Sequence, residues 1–285
     1  MNRLVAVAPL PTLRTGRRAV IHLLLLGGAA LMIFPFIWMI STSLKDIGEV
    51  FTVAPKWIPS VLRFDNSAAA WRAAPFARFY LNSIIVAATV TLSQLTLGAL
   101  AAYAFARLQF PGKDALFLLF LGTMMIPDQI TMIPAFLLMS WLKWINTYYA
   151  LIVPNMVGAF GIFLLRQFFL TLPRELEDAA KIDGCSRLTF FRLVLLPLSK
   201  PALAAVGIFT FLHNWNSYLW PLIVTSTTSM RTLPVGLRFF VAQEGATQWT
   251  LLMAASVFVM APVLLVFLLA QRYFIEGVSI TGLKG

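Results

Sequence analysis

Six long apolar segments dominate this sequence and constrain its fold more than any other feature. Each is longer than the roughly 20 residues that an α-helix needs to cross about 30 Å of hydrocarbon. Only the third segment contains a formal charge, at Asp128, and none alternates apolar with polar residues. The sequence therefore predicts an all-α, multi-pass membrane protein with six transmembrane helices, over residues 23–44, 79–106, 115–142, 144–165, 202–230 and 245–271.

The charge content supports a membrane location over a nucleic-acid partner. Charged residues make up 12% of the chain, against about 25% in soluble domains. The net charge is +11, but the basic residues are spread between the apolar segments and form no basic face. This distribution is typical of the positive-inside bias of membrane proteins. We therefore expect membrane lipid as a partner and no nucleic acid.

The residues that usually carry catalysis or metal binding are sparse. Cys185 is the single cysteine, which excludes an intrachain disulfide, and His22 and His213 are the only histidines. A membrane-embedded enzyme would need acids or histidines clustered at one depth, whereas Asp128 and the two histidines are scattered. The sequence predicts no catalytic residue, no metal site and no cofactor.

The distribution of Lys and Arg predicts the orientation. With a cytoplasmic N-terminus, fourteen of the 22 basic residues are cytoplasmic and eight are external. Both termini are therefore predicted to be cytoplasmic. Residues 1–18 are predicted to form a cytoplasmic arm and residues 19–285 the transmembrane domain. The arm resembles the start of a signal peptide, but the 22 uncharged residues that follow are long enough to span, so we expect a retained helix.

The polar loop between the fourth and fifth predicted helices has strong local signals for two short helices. Pro173 suits the first position of a helix, and the acidic residues that follow favour its positive end. Gly184 is expected to end this helix with a positive φ. Ser186 is expected to cap a second helix with Leu188, Phe191 and Val194 as its apolar positions. From the residues alone, an ordinary amphipathic helix at the membrane surface fits as well as a docking site does.

This loop resembles the EAA loop of ATP-binding-cassette (ABC) import permeases. The family pattern is Glu-Ala-Ala, three residues, Gly, nine residues, Ile, one residue and Leu-Pro. This sequence provides Asp178, Ala179, Ala180, Gly184, Val194, Leu196 and Pro197 at those spacings, with Asp for Glu and Val for Ile.

The resemblance extends over roughly residues 80–285. It includes the stretches at residues 146–154, 163–169, 215–222 and 271–285. These stretches are similar to those of the carbohydrate-uptake family, in particular the smaller permease subunit of maltose-type or glycerol-3-phosphate-type systems.

The resemblance implies a type I importer fold, with a core at about residues 80–272 and an EAA coupling loop at 171–200. It implies a bacterial inner-membrane complex of two different permease subunits, two ATP-binding subunits and an extracytoplasmic substrate-binding protein. The sequence has no Gly-x4-Gly-Lys-Ser/Thr phosphate loop, so ATP hydrolysis is expected in a partner subunit. The residues implied in coupling to that subunit are Glu177, Asp178, Ala179, Ala180, Asp183 and Gly184.

A possible substrate path is predicted from polar residues inside the apolar segments. Asn214, Asn216 and Tyr218 supply amide and aromatic groups of the kind that bind sugars, although they could equally hydrogen-bond between helices. Asp128 could contribute to the path, or cap a helix broken by Pro127 and Pro134. The transported solute is expected to be a sugar, an oligosaccharide, a polyol or a glycerol phosphate. An importer of another substrate class and a secondary transporter are the alternatives.

Overall fold

The computed structural model describes residues 12–241 and 247–281. Within these residues it contains fourteen α-helices and no β-strand, in agreement with the predicted all-α class. The α-helices are α1 Thr12–Ser43, α2 Asp65–Ala73, α3 Phe76–Arg107, α4 Lys113–Gly122, α5 Asp128–Trp141, α6 Tyr148–Ile152, α7 Ala159–Thr171, α8 Glu175–Ile182, α9 Arg187–Phe190, α10 Leu196–Leu198, α11 Lys200–Trp215, α12 Leu219–Val224, α13 Leu233–Gly236 and α14 Trp249–Thr281. Short 3₁₀ turns lie at Ile47–Glu49, Thr123–Met125, Val153–Asn155, Thr228–Met230 and Leu237–Phe240, and a π-helical turn at Phe191–Leu195.

Four helical segments in the described part of the chain are long and apolar enough to cross a membrane. They are Arg18–Ser43, Phe76–Arg107, Tyr148–Thr171 and Trp249–Leu269, and they coincide with the first, second, fourth and sixth predicted segments. Two bent helix pairs raise the number to six if each pair counts as one span. The predicted arm is described only from Thr12, where α1 begins, and residues 1–11 and 282–285 lie outside the described residues.

The third predicted segment is broken into two helices rather than forming one. Ile126 is extended, and the helices on either side, Lys113–Met125 and Asp128–Trp141, meet at 99°. Pro127 has no N–H to continue the helix and biases the residue before it away from helical angles. Pro134 lies inside α5. Asp128 is therefore the first residue of α5 and does not lie within a continuous helix.

The fifth predicted segment is also shorter than expected. Helix α11 ends at Trp215, and the chain resumes helical structure only in α12. At its start, α11 makes an angle of 78° with the preceding helical stretch, Arg187–Leu198. A hydropathy average over a segment of spanning length does not register these interruptions, because the residues on both sides of each break are mostly apolar.

The described chain divides into two compact units. Of the described residues, the smaller unit contains 12–70 and 247–257, and the larger contains 71–241 and 258–281. In the smaller unit, the amide of Asn66 donates hydrogen bonds to the carbonyls of Ser43 and Lys45 at 3.0 and 2.8 Å, and Lys56 pairs with Glu49 at 2.9 Å. These contacts fold the loop after α1 onto the end of that helix.

Helix α3 is the centre of the larger unit and packs mainly against α7 and α11. A hydrophobic cluster fills the space between these helices and continues into the loop that follows α7. Small residues on α3, such as Ala99, Ala102 and Ala106, allow the neighbouring helices to approach closely. The polar loop of the sequence prediction is thus built directly onto the core of this unit.

Candidate functional site

The first helix of the candidate coupling loop is α8. It begins at Glu175, two residues later than the position predicted from Pro173. Glu175, Glu177 and Asp178 occupy its first turn, where carboxylates interact favourably with the unpaired N–H groups of a helix start.

The acids of α8 differ in how far they reach solvent. Lys181 pairs with both Glu177 and Asp178 at 3.2 Å, and its hydrogen bonds to Asp178 and then Glu177 raise the pKa of the Lys181 ammonium. The Glu177 side chain is only 15% exposed, whereas that of Asp178 is 67% exposed. Asp178 is therefore the acid of this pair with more surface available to a docked partner.

The turn at the end of α8 is a Schellman motif. Gly184 has a φ of +76°, and its N–H donates to the carbonyl of Lys181 at 3.1 Å. The N–H of Cys185 donates to the carbonyl of Ala180 at 2.8 Å. This pair of bonds satisfies carbonyls that the helix end leaves free. The predicted positive φ at Gly184 is confirmed, and Asp183 lies exposed just before it.

The second short helix, α9, begins as predicted at a Ser186 cap. The Ser186 hydroxyl accepts a hydrogen bond from the N–H of Thr189 at 3.1 Å. The predicted apolar face is partly wrong, because Leu188 is exposed while Phe190 and Phe191 are buried. The α9 helix is only four residues long and passes into a π-helical turn, which changes the spacing of the inward positions.

Ala179 and Ala180 face different surroundings, which corrects the expectation that both meet a partner. Ala180 is buried in the same hydrophobic cluster as Ala102 and Tyr103 of α3 and Phe169 of α7. Ala179 is exposed. A helix resting on a core must turn one of two adjacent residues inward, so Ala180 belongs to the internal contact and Ala179 to the free surface.

Arg107 fixes the start of the coupling loop, where the chain leaves α7. From the end of α3, its Nη2 donates to the carbonyls of Phe169 and Leu172 at 2.6 and 2.7 Å. These carbonyls lie at the end of α7, where the helix leaves carbonyls free, and the Phe169 carbonyl has only a long backbone bond, from the N–H of Leu172 at 3.4 Å. Arg166 makes a second contact, with its guanidinium 4.0 Å from the ring centroid of Phe117.

In the sequence, Arg107 is recognisable only as a charge that sets the orientation, and Arg166 both as such a charge and as part of the stretch at residues 163–169. Their positions beside the loop, at or near the ends of apolar segments, were the available signal for a structural role.

The side of the loop that faces away from the core combines exposed apolar and charged groups. Ile182, Leu188 and Leu176 are 87%, 60% and 37% exposed. Asp178 and Asp183 lie close to them in the sequence and are also exposed. We call this surface, with Ala179, the outer face of the loop. Apolar groups rimmed by charges are typical of protein interaction sites.

The residues predicted for the substrate path lie where α11 ends. The amides of Asn214 and Asn216 donate to the carbonyls of Thr210 and Leu212, both at 2.9 Å. Trp215 is buried and donates to the carbonyl of Val259 at 3.0 Å, so it has a packing role. Tyr218 is 36% exposed and lies in the break before α12. The amide donors thus help to satisfy the end of the helix, and the amide oxygens face no donor among the described hydrogen bonds.

Asp128 is exposed at the start of α5. Among the described residues, no hydrogen bond or ion pair joins it to the asparagines at the end of α11. The structure therefore does not join the four predicted path residues into one hydrogen-bonded cluster.

A second polar group, missed by sequence reasoning, lies between α3, α7 and α11. Gln94 donates to the carbonyl of Asn155 at 2.8 Å and accepts from the hydroxyl of Thr210 at 3.1 Å. Ser93 donates to the carbonyl of Met156 at 3.0 Å. These carbonyls are freed where the fourth predicted helix is interrupted before Gly158. Two features of the sequence could have indicated this group. One is the polar pair Ser93 and Gln94 inside an apolar segment, and the other is the presence of Pro and Gly inside the fourth predicted segment.

Comparison with protein families identifies the class of the chain. Residues 94–280 match the family described as the binding-protein-dependent transport system inner membrane component. The chain belongs to this family. The predicted membership in the importer permeases is confirmed, and members of this family are transport components of the inner membrane and not enzymes.

Whole-length relatives support the assignment of this permease chain. It is 38% identical over 272 residues to the sn-glycerol-3-phosphate transport system permease protein UgpE of Yersinia enterocolitica, covering 93% of this chain and 96% of the relative. The Pectobacterium atrosepticum protein of the same name is 37% identical, covering 90% and 94%. The Salmonella typhi protein is 35% identical, covering 93% and 96%.

A solved structure has the same fold as this permease. It is described as a crystal structure of a bacterial ABC transporter involved in the import of the acidic polysaccharide alginate. The TM-score is 0.82 at 23% sequence identity, covering 94% of this chain and all of that chain. The similarity confirms the predicted importer permease fold.

Proposed function

We propose that this chain is one of two permease subunits of an ABC importer, and that its EAA loop couples transport to ATP hydrolysis in a partner. The observation that carries the proposal is the two-sided construction of the loop. Its inner side is part of the core through Ala180 and Phe190, while its outer face exposes Ala179 and Ile182. A loop built in this way can receive a force from a docked subunit and pass it to the transmembrane helices.

The partner in this proposal is an ATP-binding subunit on the cytoplasmic side. Closure of an ATP-bound pair of such subunits would move α8 and α9, and Arg107 and the hydrophobic cluster would carry the movement to α3 and α7. The sequence lacks a phosphate loop, which supports hydrolysis outside this chain. A second permease subunit and an extracytoplasmic binding protein complete the complex, with both termini of this chain in the cytoplasm.

The solute in this proposal is a small polyhydroxylated molecule, namely a sugar, an oligosaccharide, a polyol or a glycerol phosphate. The names of the relatives support this class, since three from different genera are all glycerol-3-phosphate permeases. The amide oxygens of Asn214 and Asn216, together with Tyr218, provide the kind of groups that hydroxylated solutes hydrogen-bond. Asp128, at the break before α5, is a further candidate for the path.

Cys185 offers a direct test of docking and orientation. It is the only cysteine in the sequence, it is exposed, and it lies in the turn after Gly184. A membrane-impermeant maleimide should label it in inside-out vesicles and not in intact spheroplasts. Co-expressed ATP-binding subunits should slow this labelling. A Cys185→Ser chain with a cysteine introduced at the exposed Asp114, on the same predicted side of the membrane but outside the loop, is the control and should show no such protection.

Labelling from the external side would contradict the orientation, and equal labelling with and without ATP-binding subunits would contradict docking at the loop. The solute class is tested separately. A deletion strain carrying this chain and its partners should take up radiolabelled glycerol-3-phosphate or a sugar. Uptake of peptides or metal ions alone would refute the proposed solute class and leave the docking result unaffected.

A further inference from the structure

A cavity of about 320 Å³ lies in the larger unit, beside the segment that follows α12. Its volume is at the lower end of the roughly 300–1,000 Å³ typical of small-molecule sites. Two arginines and several apolar residues line it, namely Leu222, Arg231, Val235, Arg238, Phe239 and Val241.

The backbone around Arg231 is held firmly by α3. The buried amide of Asn82 donates to the carbonyls of Ser229 and Arg231, both at 2.8 Å. The hydroxyl of Tyr148 donates to the Asn82 amide oxygen at 2.6 Å, which fixes the orientation of that amide. The N–H of Leu233 donates to the Ser83 hydroxyl at 2.8 Å. Asn82 and Ser83 are thus packing residues, and they position residues 229–233, which we call the strap and which carry Arg231.

The charge in the cavity lacks a counter-ion among the described residues. The Nε of Arg231 is buried and has no hydrogen-bond partner, although a guanidinium has five N–H donors to satisfy. Its guanidinium carbon is 5.6 Å from the ring centroid of Phe239, and an aromatic face compensates only part of the charge. Arg238 is exposed. Neither arginine forms a salt bridge within the described part of the chain. A buried cationic donor without a partner is costly, so an anion is the complement that the cavity lacks.

We propose that this cavity is an oxyanion site that binds a phosphate or carboxylate group. Arg231 presents a planar fork suited to two parallel hydrogen bonds with such a group, and Arg238 adds a second positive charge. Leu222, Val235 and Val241 accommodate the carbon skeleton attached to it. The group belongs either to a soluble phosphate-bearing molecule or to the headgroup of an acidic phospholipid. The site goes beyond the proposed coupling function and involves none of the loop residues.

Binding of inorganic phosphate to the full-length chain is the first test. The chain is placed in phosphatidylcholine nanodiscs and titrated calorimetrically with phosphate at constant ionic strength. Arg231→Gln should bind phosphate at least about tenfold more weakly than wild type, and Arg231→Lys should be intermediate because it keeps the charge and loses the fork. Arg72→Gln removes a charge from an exposed helix outside the cavity and should bind as wild type does. Circular dichroism and gel filtration that match wild type verify that each variant is folded.

Phosphatidylglycerol nanodiscs distinguish the two sources. If a soluble anion is the ligand, phosphate binds equally in both kinds of disc. If a headgroup is the ligand, native mass spectrometry detects phosphatidylglycerol retained by wild type and less by Arg231→Gln, and phosphate competes with it. Either result supports the oxyanion site.

The absence of any difference between wild type and Arg231→Gln in both discs would overturn the proposal.

Discussion

Replacing Gly184 by valine should weaken docking of an ATP-binding subunit while the transmembrane helices remain folded. The φ of +76° at this position lies in a region that costs most L-residues about 1–2 kcal/mol. No atom lies within 4 Å of the position that a Cβ would occupy, so the penalty is conformational and not a clash. The valine variant can relieve it only by opening the turn, which breaks the bonds that Gly184 and Cys185 donate to α8.

The size of the effect follows from this penalty. A bias of about 1–2 kcal/mol corresponds to a factor of about 5–30 in the population of the turn. If only the closed turn docks, the apparent dissociation constant can rise by no more than that factor. Asparagine tolerates the left-handed region better than other non-glycine residues, so Gly184→Asn should retain most of the affinity. The expected order of affinity is wild type, then asparagine, then valine.

The assay is titration of each variant in nanodiscs with the purified ATP-binding subunit, with Cys185 protection as the signal. Circular dichroism and gel filtration verify that the helical content and dispersity of the variants match those of wild type. Equal affinity for the valine, asparagine and wild-type chains would refute the reasoning, since the positive φ would then have no part in docking. A valine chain that does not fold would instead show that the turn matters for assembly of the permease itself.

Three further predictions concern single side chains. Ala179→Leu should leave the stability of the chain unchanged and reduce docking of the ATP-binding subunit. Ala180→Leu should destabilise the chain by about 1–3 kcal/mol, because the larger side chain overpacks the core. Thermal unfolding of the two variants measures this difference. Asp178→Lys should change stability by no more than about 1 kcal/mol, because its pair with Lys181 is exposed, yet it should reduce ATP hydrolysis coupled to uptake. Asn216→Ala should alter the KM or kcat of solute uptake at equal expression, and unchanged uptake would assign this amide to closing α11 alone.

The features predicted correctly in the loop are those that depend on neighbouring residues. The positive φ at Gly184 and the cap at Ser186 each follow from two or three residues of local sequence. The burial of Ala180 depends on α3 and α7, which lie far from it along the chain. The bonds from Arg107 to the end of α7 join residues more than 60 positions apart. No local pattern distinguishes such an arginine from one that only marks the cytoplasmic side.

The interrupted helices illustrate a similar limit for the fold. Composition predicts apolar segments well, because bilayer thickness sets their length. It does not locate the breaks. Pro127 lies where one helix ends and the next begins, while Pro134 is accommodated inside that next helix, so the same residue type gives two different outcomes. The polar residues of the candidate path gather at such a break, at the end of α11, where carbonyls need donors.

The contacts that helix α3 makes near its two ends have a mechanical consequence. Near one end Asn82 holds the strap of Arg231, and at the other Arg107 holds the entrance of the coupling loop. The 25 positions between them correspond to about 38 Å of helix at 1.5 Å per residue. Unlike α1 and α14, this helix contains no proline, so it resists bending and acts as a stiff beam. A tilt of about 5° around its midpoint would displace each end by about 1.7 Å, in opposite directions. A force applied to the coupling loop would therefore displace the arginine cavity through a rigid tilt of α3, without any change of conformation inside the helix.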